Sequence, residues 1–157
     1  KAREFDFSTR FIELAGEVNT AMPYHVIESV ASALNDRQKP LKGSRILVLG
    51  VAYKKDVDDL RESPTLKIMQ LLTERGAQID YNDPYFPQLH KMRHYNFSDM
   101  TSVDLSPANL ASYECVIIAT DHSSYDYDAI VESAKLVVDT RNVTRRIVRN
   151  RSKIVLC

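Results

Sequence analysis

"RILVLGVAYKKDVDDLRESPTLKIMQLL", residues 45–72, decides how this chain is read. It opens on an apolar run, 45–50, in which everything between Arg45 and Gly50 is aliphatic, the pattern of a strand buried on both faces. It closes on a helix over 64–75, with Ser63 at the N-cap, Pro64 in the first turn and Gly76 as the stop. Strand, turn and helix in this order form the unit of α/β domains, and the turn is where such units bind phosphates. Here the turn is unusual. Its 13 residues, 51–63, follow a single glycine and set Lys54, Lys55 and Arg61 against Asp56, Asp58, Asp59 and Glu62.

Working outward, the alternation repeats. Residues 78–81 read as a second strand closed by Asn82-Asp83-Pro84, and 85–101 as a long polar and aromatic connection with at most one short helix. A helix is predicted over 106–112, the clearest later strand over 115–120, a helix over 127–134, and strands over 136–140 and 153–156. This predicts a Rossmann-like, three-layer α/β domain with a mainly parallel sheet. Ligands of such sheets bind at the carboxyl ends of the strands, which directs attention to 50–63, 82–86, 120–124 and 140–142.

Upstream, Phe11, Leu14, Val18, Met22, Val26, Val30 and Leu34 recur at helical spacing and predict one long helix over 9–36, with a kink or break at Pro23. Such a helix spans about 40 Å, more than a small domain can cover, so its apolar stripe suits a second copy or a neighbouring domain. The linker "RQKPLKG", 37–43, supplies a boundary, giving a helical region over 1–38 and the α/β domain over 39–157. Starting at Lys1, the chain reads as a piece of something longer.

Composition narrows the function. Lys+Arg and Asp+Glu balance at 21 each, which argues against a surface built for nucleic acid or anionic lipid. No apolar run approaches the ~18 residues of a membrane span. The two cysteines, Cys115 in a strand-like run and Cys157 at the end, suggest neither a disulfide framework nor a metal site, so a reducing, cytoplasmic setting is expected.

The turn after the first strand lacks the G-x-G-x-x-G that lets a backbone close on a pyrophosphate, so NAD held in the usual way by this domain is not expected. A P-loop is excluded for want of a second glycine before Lys-Ser/Thr. Two readings remain open from the residues. The loop is either a solvated segment whose charges pair internally, or a site for a phosphorylated ligand built from the Tyr53 ring, the Lys54 and Lys55 cations and the planar fork of Arg61. Elsewhere, Asp121, His122 and Ser123 carry hydrolase letters, but neighbours on one loop point apart and make no triad; His122 at a strand end can still touch ligand. His90 and His94 have helical metal-pair spacing without a third ligand and read as surface residues. The basic tail "RNVTRRIVRNRSK" reads as a solvated or interface face, except Arg141, which directly follows a strand and so lies on the ligand edge.

The segment "GVAYKKDVDDLRESP" resembles the signature opening the C-terminal domain of UDP-glucose/GDP-mannose dehydrogenases, and most of all the bacterial UDP-N-acetylhexosamine 6-dehydrogenase branch. "FIELAGEVNTAMP", "ATDHSSYDY" and "VVDTRN" are similar to further segments of that branch, in the same order. The resemblance implies a domain that binds the nucleotide of a UDP-sugar, in an enzyme that oxidises the C6 alcohol to a carboxylate in two NAD-dependent steps through a cysteine. It implies that Tyr53, Lys54 and Arg141 contact the substrate, and that Arg61 reaches towards NAD held mainly by a separate N-terminal domain. It also implies that the helix 9–36 ends a central region that forms a homodimer. No catalytic residue of the family has a match here: the NAD fingerprint, the cysteine motif and the catalytic Lys and Asn are missing, and neither Cys115 nor Cys157 can replace the nucleophile. The competing readings are a stand-alone nucleotide or nucleotide-sugar binding module, a phospho-receiver domain, which lacks its acidic pair after the first strand, and nucleic-acid binding through the basic tail.

Overall fold

The computed structural model describes residues 10–92 and 94–157. Five parallel strands form one sheet in the order β2-β1-β3-β4-β5: β1 Arg45–Leu49, β2 Gln78–Asn82, β3 Cys115–Ile118, β4 Val137–Asp139 and β5 Ile154–Leu156. β1 is flanked on both sides, with Leu47 opposite Asp80 of β2 and Val116 of β3, so it is buried on both faces as its aliphatic run requires.

The period of two sorts the strand residues between the layers. Ile46, Val48, Cys115, Ile117 and Val138 face a core shared with α1 (Arg10–Asn35) and α2 (Pro64–Glu74). Leu47, Leu49, Val116, Ile118 and Val137 face the opposite core, closed by Leu110 of the short α3 (Pro107–Leu110) and by Ile130 and Val131 of α4 (Tyr127–Ser133). Helices therefore cover both faces. β1, β3 and β4 end one or two residues earlier than the apolar runs suggest, because Gly50, Ala119, Thr120 and Thr140 already turn at the carboxyl edge of the sheet, whereas β2 runs one residue further, to Asn82.

Three local expectations are narrowed. α1 runs through Pro23 without a break, and its two halves differ in burial instead. Val26, Ile27, Val30, Ala33 and Leu34 join the core, whereas Phe11 (84% exposed), Leu14, Val18 and Met22 face outward. Among the described residues of 85–101 there is no helix; the segment is tied by bridges between Tyr81 and Ser102 and between Gln88 and Thr101. Ser63 does occupy the N-cap of α2, but its hydroxyl donates to the Val51 carbonyl (2.7 Å) and not to the helix in the capping manner. Among the described residues no helix is long and apolar enough to cross a membrane.

Candidate functional site

The long turn leaves β1 at Gly50, whose φ of +81° belongs to glycine. A Cβ there would lie 2.5 Å from both the Cβ and the carbonyl oxygen of Thr120, so the start of the turn presses directly on the end of β3. Thr120 answers with its hydroxyl, which donates to the Ala52 carbonyl (2.8 Å).

At this place a dinucleotide fold offers free backbone N–H groups to a pyrophosphate. Here they are already used. Oδ2 of Asp83, from the end of β2, accepts from the Val51 N–H (2.7 Å) and the Ala52 N–H (3.1 Å), while its Oδ1 accepts from the Tyr85 N–H (2.8 Å). The Asp83 side chain is fully buried, so the phosphate position of the turn is filled by the protein's own carboxylate. An NAD pyrophosphate does not fit there.

The far side of the turn is held by His122, also fully buried. The Asp56 backbone N–H donates to its Nδ1 (3.0 Å), and its Nε2 stands 3.1 Å from Asp83 Oδ2. The Asp56 carboxylate accepts from the N–H (2.8 Å) and hydroxyl (2.7 Å) of Ser123, which hold it ionised below the usual carboxylate range. Asp56 adopts a left-handed φ of +57°, a conformation Asp tolerates better than most residues. Tyr53, Lys54 and Lys55 are thus strung between two anchors, Asp83 and His122.

The side chains in between are exposed. The Lys54 ammonium stands 5.2 Å from the centroid of the half-exposed Tyr53 ring, a cation and a flat face side by side. Arg61, 89% exposed, is held as a fork by Asp59, Nε to Oδ1 at 3.0 Å and Nη2 to Oδ2 at 2.9 Å. The guanidinium's hydrogen bonds lower the Asp59 carboxyl to about 2. Arg61 lines a cleft of about 410 Å³ with Leu60, Leu66, Met92 and Tyr95.

Arg141 belongs to a second open cleft of about 410 Å³, with Asp121, Asn142, Arg145 and Arg146. Its position follows from the buried Asp139 at the end of β4. One oxygen of Asp139 accepts from the Arg141 N–H (2.9 Å) and the other from the N–H and hydroxyl of Thr144 (2.8 and 2.7 Å). The Arg141 Nε donates to Asp121 Oδ1 (3.1 Å). The loop after β3 therefore touches both sides, Asp121 with Arg141 and Ser123 with Asp56. The fold gathers Tyr53, Lys54 and Arg141 along one sheet edge, while Arg61 borders a different cleft.

Other candidates fall away on geometry. His122 is sealed in the protein with both ring nitrogens occupied, so it does not touch ligand. His90 lies outside any helix, which removes the metal-pair spacing, and no metal-binding group of three side chains occurs among the described residues. Burial pushes the Cys115 thiol up to about 12, so it stays protonated in the core. In the tail, Arg151 donates to the Thr144 carbonyl (2.9 Å) and Lys153 to the Glu132 carbonyl (2.6 Å) at the end of α4, while Arg145, Arg146 and Arg149 are exposed. Asp83 and the bonds of His122 to Asp56 and Asp83 were not read from sequence. The one available signal was an Asp and a His each placed just past a strand.

Residues 47–146 match the family model of the UDP-glucose/GDP-mannose dehydrogenase family, UDP binding domain. A UDP-N-acetyl-D-mannosamine dehydrogenase of Methanococcus maripaludis is 30% identical over 146 residues, covering 87% of this chain and 31% of the relative. Among solved structures, the UDP-D-ManNAc dehydrogenase of Pyrococcus horikoshii superposes with a TM-score of 0.70 at 26% identity, over 90% of this chain and 32% of that one. A UDP-glucose dehydrogenase of Pyrobaculum islandicum gives 0.66 at 29% identity, over 99% and 33%. The chain thus spans about a third of the length of the relatives it matches.

Proposed function

Because the chain belongs to the UDP-glucose/GDP-mannose dehydrogenase family through its UDP-binding domain, we propose that it binds the nucleotide of a UDP-sugar with Tyr53, Lys54 and Arg141. One observation carries this reading: Tyr53 and Lys54 are presented at the ligand edge on a turn whose backbone N–H groups are already spent on Asp83. A diphosphate arriving there is held by side-chain cations, and the Tyr53 ring offers a face for a base. Asp121 keeps Arg141 from being a bare cation before the ligand arrives.

In this reading the chain is the substrate half of an NAD-dependent dehydrogenase that oxidises the C6 alcohol to a carboxylate. NAD would supply the hydride acceptor from a separate domain, and this chain's contribution to it is Arg61, held outward by Asp59. With Cys115 sealed and protonated, the chain alone is expected to reduce no NAD. Residues 1–38 would end a central helical region, and the setting would be cytoplasmic. UDP binding by calorimetry tests the site. Lys54→Ala and Arg141→Ala should each weaken it about tenfold or more, the loss of one charge-assisted contact. Tight binding indifferent to both changes would overturn the assignment, and NAD reduction by this chain would overturn the division of labour.

The outward half of α1 supports a second copy as its partner. Phe11, Leu14, Val18 and Met22 sit three or four residues apart and form one apolar stripe, uncovered by the domain below. Val18→Glu should convert a dimer to a monomer in sedimentation at micromolar concentration without changing the melting of the α/β core. An unchanged mass would rule out this face as the interface.

A further inference from the structure

A backbone N–H can only donate. Since the Asp56 N–H points at His122 Nδ1 from 3.0 Å, that nitrogen carries no proton, and the proton of the neutral ring sits on Nε2, where it is donated to Asp83. The ring thereby couples the two anchors of the turn: Asp83 holds its start at Val51 and Ala52, and His122 holds Asp56. The groups around the ring are Asp83 after β2, Asp56 of the turn with Lys55 beside it, and three tyrosines. The Tyr85 and Tyr125 rings lie 5.1 and 5.6 Å away, and the Tyr127 hydroxyl donates to the His122 carbonyl.

Asp56 is fixed from two directions: its N–H by the ring, and its carboxylate by the N–H and hydroxyl of Ser123. It lies in the left-handed region, next to Lys55 and two residues from Lys54, so the bond from its N–H to the ring fixes the end of the segment that carries both lysines.

We infer that His122 is a positioning residue for the ligand-binding turn: its bare Nδ1 holds the Asp56 N–H and with it Tyr53 and Lys54, so nucleotide binding falls when that acceptor is removed. The link to binding rests on the proposed UDP-sugar site; the latch itself does not. Side-chain 15N spectra of His122 should show a bare Nδ1 and a protonated Nε2, and the Asp56 amide should be protected from exchange. His122→Asn places an amide oxygen near the Nδ1 position and should bind UDP-glucose within about threefold of wild type. His122→Gln, without an acceptor there, should expose the Asp56 amide to exchange and bind about tenfold more weakly. An Nδ1-protonated ring, an unprotected Asp56 amide in wild type, or equal binding by His122→Asn and His122→Gln would overturn the inference. Absence of UDP-glucose binding by wild type would instead overturn the proposed function, with the spectra still deciding the latch.

Discussion

Gly50→Ala should destabilise the domain by about 3–5 kcal/mol, among the largest effects of any single methyl group in the chain. Two costs combine. The φ of +81° is one an L-residue adopts at about 1 kcal/mol. The added Cβ also meets Thr120 at 2.5 Å, and Thr120 has little freedom to withdraw. Its N–H donates to the Leu49 carbonyl (3.1 Å) and its hydroxyl to the Ala52 carbonyl, so moving it breaks the seam between β1 and β3. Gly43→Ala separates the costs, because Gly43 has a similar φ of +85° and open space where a Cβ would go. In urea unfolding, Gly43→Ala should lose about 1 kcal/mol. If Gly50→Ala loses no more than that, the close approach to Thr120 is not a constraint.

The same turn shows how far the sequence could be read. β1 and α2 were legible because their signals are local: an aliphatic run, then Ser-Pro before a periodic helix. The lack of glycines argued against a dinucleotide turn, and the structure adds a second argument, since Val51 and Ala52 have given their N–H groups to Asp83. That second argument was not legible. Asp83 lies more than 30 residues from its partners, brought there only by the pairing of β1 with β2, and in sequence it is one more acid before a proline. His122 was hidden in the same way, its ring joining Asp56 and Asp83 across the sheet, so a residue weighed as a ligand contact is internal. The stripe of α1 was legible as periodicity. Which half is covered was not, because that depends on where the domain surface stops. The connection 85–101 gave no pattern because isolated bridges to Tyr81 and Gln88 hold it, not a repeating element.

Asp83→Ala should cost about 3–5 kcal/mol as well, by the opposite route of removal. The change leaves the Val51, Ala52 and Tyr85 N–H groups and the Nε2–H of His122 without their acceptor. Asp83→Asn should be milder, about 1–2 kcal/mol: an amide oxygen at the Oδ2 position still serves three donors, and only the NH2 opposes the Tyr85 N–H. The comparison tests whether Asp83 acts as an internal anion or as filler. If it is an anion, the emptied site in Asp83→Ala is a small carboxylate hole lined with donors, and added formate should raise the melting temperature of that variant while leaving wild type and Asp83→Asn unmoved. Equal melting of all three proteins, or no response to formate, would mean that the donors are not organised around a negative charge. A positive response would explain the cation-rich loop: with the backbone's anion site taken by Asp83, an incoming diphosphate can be held only by side chains, and Lys54 stands where the turn leaves that site.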